Sequence, residues 1–227
     1  MIGIIAAMDE ERDSILKRMK DVREEKRNGF LFYHGTLKGK ETVLAKCGIG
    51  KTNAAIITTV MILRYHPSLL INTGCAGSLN KDVHVGDIVV SDKAADWDID
   101  VPVPEWTRGF DCERMTFPVD PELLKKVKKI KCDVPVSIGG IVSGESFIYK
   151  KSQVNTILKY YPEALCGEME GSSVARTASR FDTPFLIIRS ISDATLVQGD
   201  FKNFDFNLEL ACENSAVLTE KIVRICG

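Results

Sequence analysis

The seven cysteines of this 227-residue chain include no Cys-x-x-Cys pair, and seven is an odd number. A disulfide framework and a zinc site are therefore not expected. The expectation is reduced, mostly buried thiols in a cytoplasmic protein, with Cys47, Cys75, Cys166 and Cys212 among apolar or small neighbours. An excess of charge of one sign is lacking too. Thirty basic against 31 acidic residues leave a net charge of −1, which offers no electrostatic footprint for nucleic acid or an anionic membrane. No apolar run approaches the roughly 18 residues a membrane span needs. The opening run Ile2-Gly3-Ile4-Ile5-Ala6-Ala7-Met8 has no basic lead-in and passes straight into Asp9-Glu10-Glu11, which argues against a signal peptide. With no internal repeat, low-complexity segment or linker, residues 1–227 read as one domain.

What is present is an alternation of short apolar runs with helical patterns. Strands are expected over residues 1–8, 30–36, 42–46, 69–73, 85–91, 136–142 and 185–188, the second and third of them antiparallel. Helices are expected over residues 11–19, 53–65, 121–131, 151–161 and 208–225, with another following Gly171. This pattern implies an α/β fold with a mostly parallel central sheet covered by helices. Residues 97–121 break the regularity with four prolines and the aromatics Trp106, Phe110 and Phe117; so long a loop is usually functional or at an interface.

Gly48-Ile49-Gly50-Lys51-Thr52 invites a phosphate-loop reading and fails it, because Ala45 occupies the position of the required upstream glycine. The dinucleotide fingerprint fails as well, with Asn53 in place of its third glycine. These glycines more plausibly let backbone approach a ligand or pack under a helix. A different pattern recurs: the strands ending near residues 8, 73, 142 and 189 each finish in a small or polar cluster. Ligands of open α/β sheets sit beyond such strand ends. Glu11, Cys75, Phe147 and Asp193 are thus expected to meet, together with the pair Glu168 and Glu170 that flanks Met169. Each has a plainer reading: a Phe in the core, a Met as filler, acids at helix ends balancing the macrodipole. Cys75 has no histidine neighbour in sequence to activate it, so a nucleophilic thiol is not expected.

Seven blocks, in order and spanning residue 1 to about 207, carry a resemblance. They are residues 2–11, Cys47-Gly48-Ile49-Gly50-Lys51, residues 71–77, residues 85–91, Val142-Ser143-Gly144-Glu145-Ser146-Phe147-Ile148, Glu168-Met169-Glu170 and Arg189-Ser190-Ile191-Ser192-Asp193. Together they resemble the 5′-methylthioadenosine/S-adenosylhomocysteine nucleosidases of the purine nucleoside phosphorylase/uridine phosphorylase superfamily. The resemblance implies a single three-layer domain with a mixed central β-sheet flanked by helices. It implies hydrolysis of the N-glycosidic bond of methylthioadenosine, S-adenosylhomocysteine and 5′-deoxyadenosine, in methionine salvage and supply of the autoinducer-2 precursor. No metal, no cofactor and a homodimer are implied with it.

By the same resemblance, Asp193 is the acid that protonates adenine N7, with Ser192 holding it, and Glu11 positions and deprotonates the attacking water. Burial is expected to help Asp193 keep its proton. Glu170 would bind the ribose hydroxyls, with Met169 against the sugar; Glu168 and Arg189 would complete the polar floor near the water. Phe147 would stack on adenine while the Ile148 backbone reads its edge, and Ile49 and Phe204 would line the 5′-thioether slot. Three positions depart from the family. Arg12 stands where an apolar residue is usual, and superfamily phosphorylases place a phosphate-binding arginine near it. Cys75 replaces a serine or similar small residue that helps bind the water. The 97–117 loop, which in relatives reaches across a homodimer, matches poorly. A phosphate-dependent nucleoside phosphorylase is therefore the alternative, and a non-catalytic nucleoside-binding module the third reading. Asn72 stands where the hexameric phosphorylases use an arginine, and Glu11 puts negative charge where phosphate would go; both favour hydrolysis.

Overall fold

The computed structural model describes residues 1–27, 29–99, 109–110, 115–193 and 204–226. Buried apolar letters begin the chain: β1 (Ile2–Ala6) is buried at every position and leads into α1 (Asp9–Leu16), which opens with three acids in its first turn. Three strands follow, β2 (Lys20–Arg27), β3 (Phe30–Leu37) and β4 (Lys40–Lys46), then α2 (Lys51–Tyr65) and the long β5 (Leu69–Ser78). Next come β6 (Ile88–Asp96), the short β7 (Thr116–Pro118), α3 (Pro121–Val127), β8 (Val136–Ser143) and α4 (Lys151–Tyr160). The chain finishes with β9 (Ala164–Glu168), α5 (Gly171–Arg180), β10 (Phe185–Asp193) and α6 (Phe204–Cys226).

β5 is the hub. It pairs with β1 and β10 in parallel and with β9 antiparallel, through Gly77 and Ser78. Because β10 continues to β6, β6 to β8 and β8 to β9, these five strands close on themselves. β1, β4, β3 and β2 extend from β5 as a wing. Among the described residues, five strand pairings are parallel and five antiparallel, so the sheet is mixed rather than mostly parallel. The antiparallel partners include β2, β7 and β9, none of which shows an apolar run in the sequence. β2 (KDVREEKR) is an almost wholly exposed edge whose charges resist pairing with another chain's edge.

The second departure matters more for function. The apolar stretches 69–73 and 185–188 do not end the strands they mark: β5 runs on to Ser78 and β10 to Asp193. Every residue of β10 is buried, Arg189 and Asp193 included. Closure of the barrel is the reason. The polar ends of both strands are wrapped by other strands instead of meeting solvent, so polar side chains are carried into the interior. α2 packs with α5, and α6 packs on β5, β10 and α1. Ile4, Leu44, Ile57, Met61, Leu70, Ile187 and Ile222 are fully buried between these elements. No helix of the described residues is long and apolar enough to cross a membrane.

Candidate active site

The strand ends open into a cavity of about 280 Å³. The turn after β1, the first turn of α1, the turn before α2, β5, the β8–α4 loop, the β9–α5 junction and the end of β10 all reach it. Glu11, Ile49, Cys75, Phe147, Ile148, Glu168, Met169, Glu170, Ser192 and Asp193 line it together. Two of the expected twelve remain. Arg189 is 1% exposed and lies behind the wall, and the side chain of Phe204 falls outside the described residues.

Glu11 is fixed by four donors. Its Oε2 accepts from the backbone N–H groups of Ala7 (2.8 Å) and Met8 (3.0 Å), the capping geometry that starts α1. Its Oε1 accepts from the Cys75 N–H (3.0 Å) and is approached by the Cys75 thiol at 3.5 Å. The carboxylate lies directly on Gly74, where an added Cβ would sit 2.3 Å from Oε1. Burial, then the Glu11 charge, pushes the Cys75 thiol well above its ordinary range, so it is a neutral donor and not a nucleophile. Arg12 follows Glu11 but does not line the cavity. It pairs with Asp9 and with Asp13 (Nε to Oδ1, 2.8 Å), and lies over the Tyr33 ring at 5.8 Å. Its charge is thereby engaged away from the site.

The opposite wall is the β9–α5 junction. Both oxygens of Glu168 are taken by the protein: Oε1 by the Ser143 hydroxyl, Oε2 by the N–H groups of Glu170 (2.9 Å) and Gly171 (2.8 Å) and by Arg189. Its carboxylate is thus spent on shaping the junction, although it borders the cavity. Glu170 is held more lightly, with Oε1 accepting from the Gly50 N–H at 2.8 Å and Oε2 lying 3.9 Å from Arg189. Burial, then the Glu168 charge, raises the Glu170 carboxyl to about 8, against the opposing pull of Arg189 and the Gly50 N–H. The glycine turn that imitates a phosphate loop therefore grips a protein carboxylate. Gly50 has φ of 103°, a conformation glycine adopts without strain.

Arg189 donates to Asn72 Oδ1 (2.5 Å) and to the Asn72 (3.2 Å) and Ile188 (2.9 Å) carbonyls, besides Glu168. Asn72 in turn donates to the Ile5 carbonyl at 3.0 Å. The expected floor residue is thus a buried strut, set one layer back, where Glu168, Asn72 and the Ile188 carbonyl take its two terminal nitrogens and Nε has no partner among the described residues. Ser192 donates to Asp193 Oδ2 at 3.1 Å. At the rim, Phe147 is 44% and Ile49 55% exposed, unusual for side chains of their size and available to an apolar ligand.

Of the aromatics in the irregular loop, Phe117 is core and pairs with β6 opposite Ala94, while Phe110 packs edge-on against Tyr161 at 5.1 Å. Neither reaches the cavity; Trp106 lies outside the described residues. The sequence reading missed a polar chain behind the site, from Asp96 through Ser172 (2.6 Å) and Ser143 (2.7 Å) to Glu168. Ser143 stands in one of the seven blocks and Ser172 in the helix expected after Gly171, but nothing in the letters around Asp96 marks it.

The family model of the phosphorylase superfamily matches residues 1–224. A 5′-methylthioadenosine/S-adenosylhomocysteine nucleosidase of Staphylococcus haemolyticus is 38% identical over 99% of this chain and 100% of its own length. The crystal structure of the Neisseria meningitidis nucleosidase in complex with methylthio-immucillin-A has a TM-score of 0.88 at 34% identity, covering 98% of both chains. That of an aspartate-to-asparagine variant of the Helicobacter pylori nucleosidase, with 5′-methylthioadenosine in the active site, has a TM-score of 0.88 at 30% identity, covering 98% of this chain and 97% of the other. On the sequence match along nearly its whole length and on the shared fold, the chain belongs to the 5′-methylthioadenosine/S-adenosylhomocysteine nucleosidase family of the phosphorylase superfamily.

Proposed function

We propose that the protein hydrolyses the N-glycosidic bond of 5′-methylthioadenosine and S-adenosylhomocysteine, and of 5′-deoxyadenosine, releasing adenine and the 5-substituted ribose. The observation that carries this is one cavity lined by both Glu11 and Asp193, with no lysine or arginine among its described lining residues. Asp193, oriented by Ser192, gives a proton to adenine N7 as the bond between N9 and C1′ breaks, and the base leaves neutral. Glu11, fixed by its backbone donors, takes a proton from the water whose oxygen bonds to C1′. Glu170 accepts from the ribose hydroxyls, and the ionised form of its carboxyl steadies the oxocarbenium-like sugar. Met169 packs on the ribose. Phe147 stacks on the base, the Ile148 backbone meets its edge, and Ile49 receives the 5′ substituent. Glu168 and Arg189 act from behind by fixing the junction that presents Glu170. The reaction calls for no metal or cofactor.

Phosphate is disfavoured as the nucleophile. An anion placed about 4 Å from the Glu11 carboxylate is repelled by roughly 4 kcal/mol at an effective dielectric near 20. The arginine that recommends a phosphorylase, Arg12, is engaged elsewhere by Asp9 and Asp13, and the buried Arg189 is held by Glu168 and Asn72. Adenine release from methylthioadenosine in phosphate-free buffer is the test. An absolute phosphate requirement, with 5-methylthioribose 1-phosphate as product, would replace the hydrolase with the phosphorylase.

Two further expectations belong to this reading. α2 exposes Ile56 (46%) and Leu63 (58%) at seven-residue spacing, an apolar stripe suited to a homodimer. The cysteines among the described residues are all free, which suits a reducing cytoplasm.

A further inference from the structure

Lys51 completes the phosphate-loop look-alike, yet its ammonium faces protein. It bridges Asp98 Oδ1 at 2.5 Å and Asp96 Oδ1 at 3.2 Å, with its side chain 17% exposed and that of Asp96 only 3%. Burial alone would lower the Lys51 pKa, but the hydrogen bond to Asp98 and the charges of both aspartates outweigh it and hold the pKa above its ordinary value. The link continues on the far side. Asp98 Oδ2 accepts from the Glu145 N–H at 2.7 Å, and Glu145 Oε1 accepts from the Thr52 N–H at 3.2 Å. Glu145 therefore caps α2 from another loop, supplying what Gly50, having no side chain, cannot. A Cβ on Gly50 would lie 2.7 Å from Glu145 Oε2, and any other residue there would be strained at a φ of 103°. Finally the Lys51 carbonyl accepts from the Ser173 hydroxyl of α5 at 2.8 Å.

One lysine thus ties together the ends of β6, the β8–α4 loop and the first turn of α2. Next to it in the chain is Gly50, whose N–H holds Glu170, and beyond that Ile49 on the cavity wall. We propose that Lys51 is a positioning residue for the ribose end of the site: its ion pairs with Asp96 and Asp98 keep the Gly50 N–H in register on Glu170. It touches no substrate atom. This inference rests on the reading of Glu170 as the ribose acceptor, and it goes beyond that reading by naming what sets the Glu170 carboxylate in place.

The test compares two ligands that share the base and differ in the sugar: adenine, and the 7-deaza analogue of methylthioadenosine, which lacks the nitrogen that Asp193 protonates. Calorimetry on Lys51→Met should show the nucleoside analogue weakened about tenfold and adenine within twofold of the native protein. KM for methylthioadenosine should rise by a similar factor with kcat within threefold. Lys51→Arg should restore both. Equal weakening of the two ligands, no weakening of either, or an arginine variant as impaired as the methionine one would each overturn the proposal. If Lys51→Met does not fold, Asp98→Asn and Lys51→Gln carry the same comparison. A native protein that binds both ligands but releases no adenine would instead sink the hydrolase reading and leave this comparison intact.

Discussion

Glu170→Gln should make the protein more stable, and increasingly so as pH rises. The Glu170 carboxyl titrates near 8 in the folded chain against an ordinary 4.5, mainly because it is buried and secondarily because Glu168 lies beside it. Below about pH 4.5 both folded and unfolded chains keep the proton, and the group contributes nothing to the pH dependence. Between 4.5 and 8 the unfolded chain releases the proton while the folded chain retains it, so each pH unit destabilises the native state by about 1.4 kcal/mol. Above 8 the penalty is complete, on the order of 5 kcal/mol in all. Glutamine keeps an acceptor for the Gly50 N–H and cannot ionise. The variant's advantage over the native protein should therefore be small at pH 5 and about 3 kcal/mol at pH 7. Urea unfolding of both proteins at pH 5, 6, 7 and 8, at constant ionic strength, measures this directly. A stability difference that does not change with pH would refute the reasoning, whatever its sign. The same variant should bind nucleosides less tightly, because the carboxylate that strains the fold is the one assigned to the ribose hydroxyls.

How much of this site could be read in the letters follows from where its polar groups get their partners. The convergence of Glu11, Cys75, Phe147 and Asp193 was legible because each follows an apolar run, and buried runs locate strand ends. The mixed sheet with flanking helices was legible through the family blocks, although the apolar pattern on its own suggested mostly parallel strands. β2 and β9 were not legible, since β2 is a charged edge and β9 is ALCGE, too short to show a period. The displacement of Arg189 from floor to strut depends on Asn72 and Glu168, which are close only because β5, β9 and β10 meet in the closed barrel. Contacts made by closure leave no local signature, and the same holds for Asp96 and Lys51. Arg12, the residue that most favoured the rival chemistry by its position, was decided by a single helix turn: Asp9 and Asp13 flank it and take its charge.

Asp193→Asn should lower kcat for adenine release by roughly 10²–10⁴-fold while the 7-deaza nucleoside analogue binds within about threefold of native affinity; full turnover would remove Asp193 from its assigned role. Arg12→Ala should leave kcat/KM within about twofold and cost at most about 1 kcal/mol in thermal or urea unfolding, since its ion pairs lie away from the cavity. A large loss of activity there, especially one relieved by phosphate, would revive the phosphorylase. Gly74→Ala isolates the placement of Glu11 from its chemistry. The added methyl would lie 2.3 Å from Glu11 Oε1 and 2.8 Å from its Cδ, inside any tolerable contact, so the carboxylate must leave the Cys75 N–H. Glu11 keeps the α1 cap through Oε2, and adenine, assigned above to the Phe147 end, should bind as before. Turnover should therefore fall to the level of Glu11→Gln in a folded protein that still takes up the base, and a Gly74→Ala protein of native activity would show that the position of Glu11 does not limit attack by water.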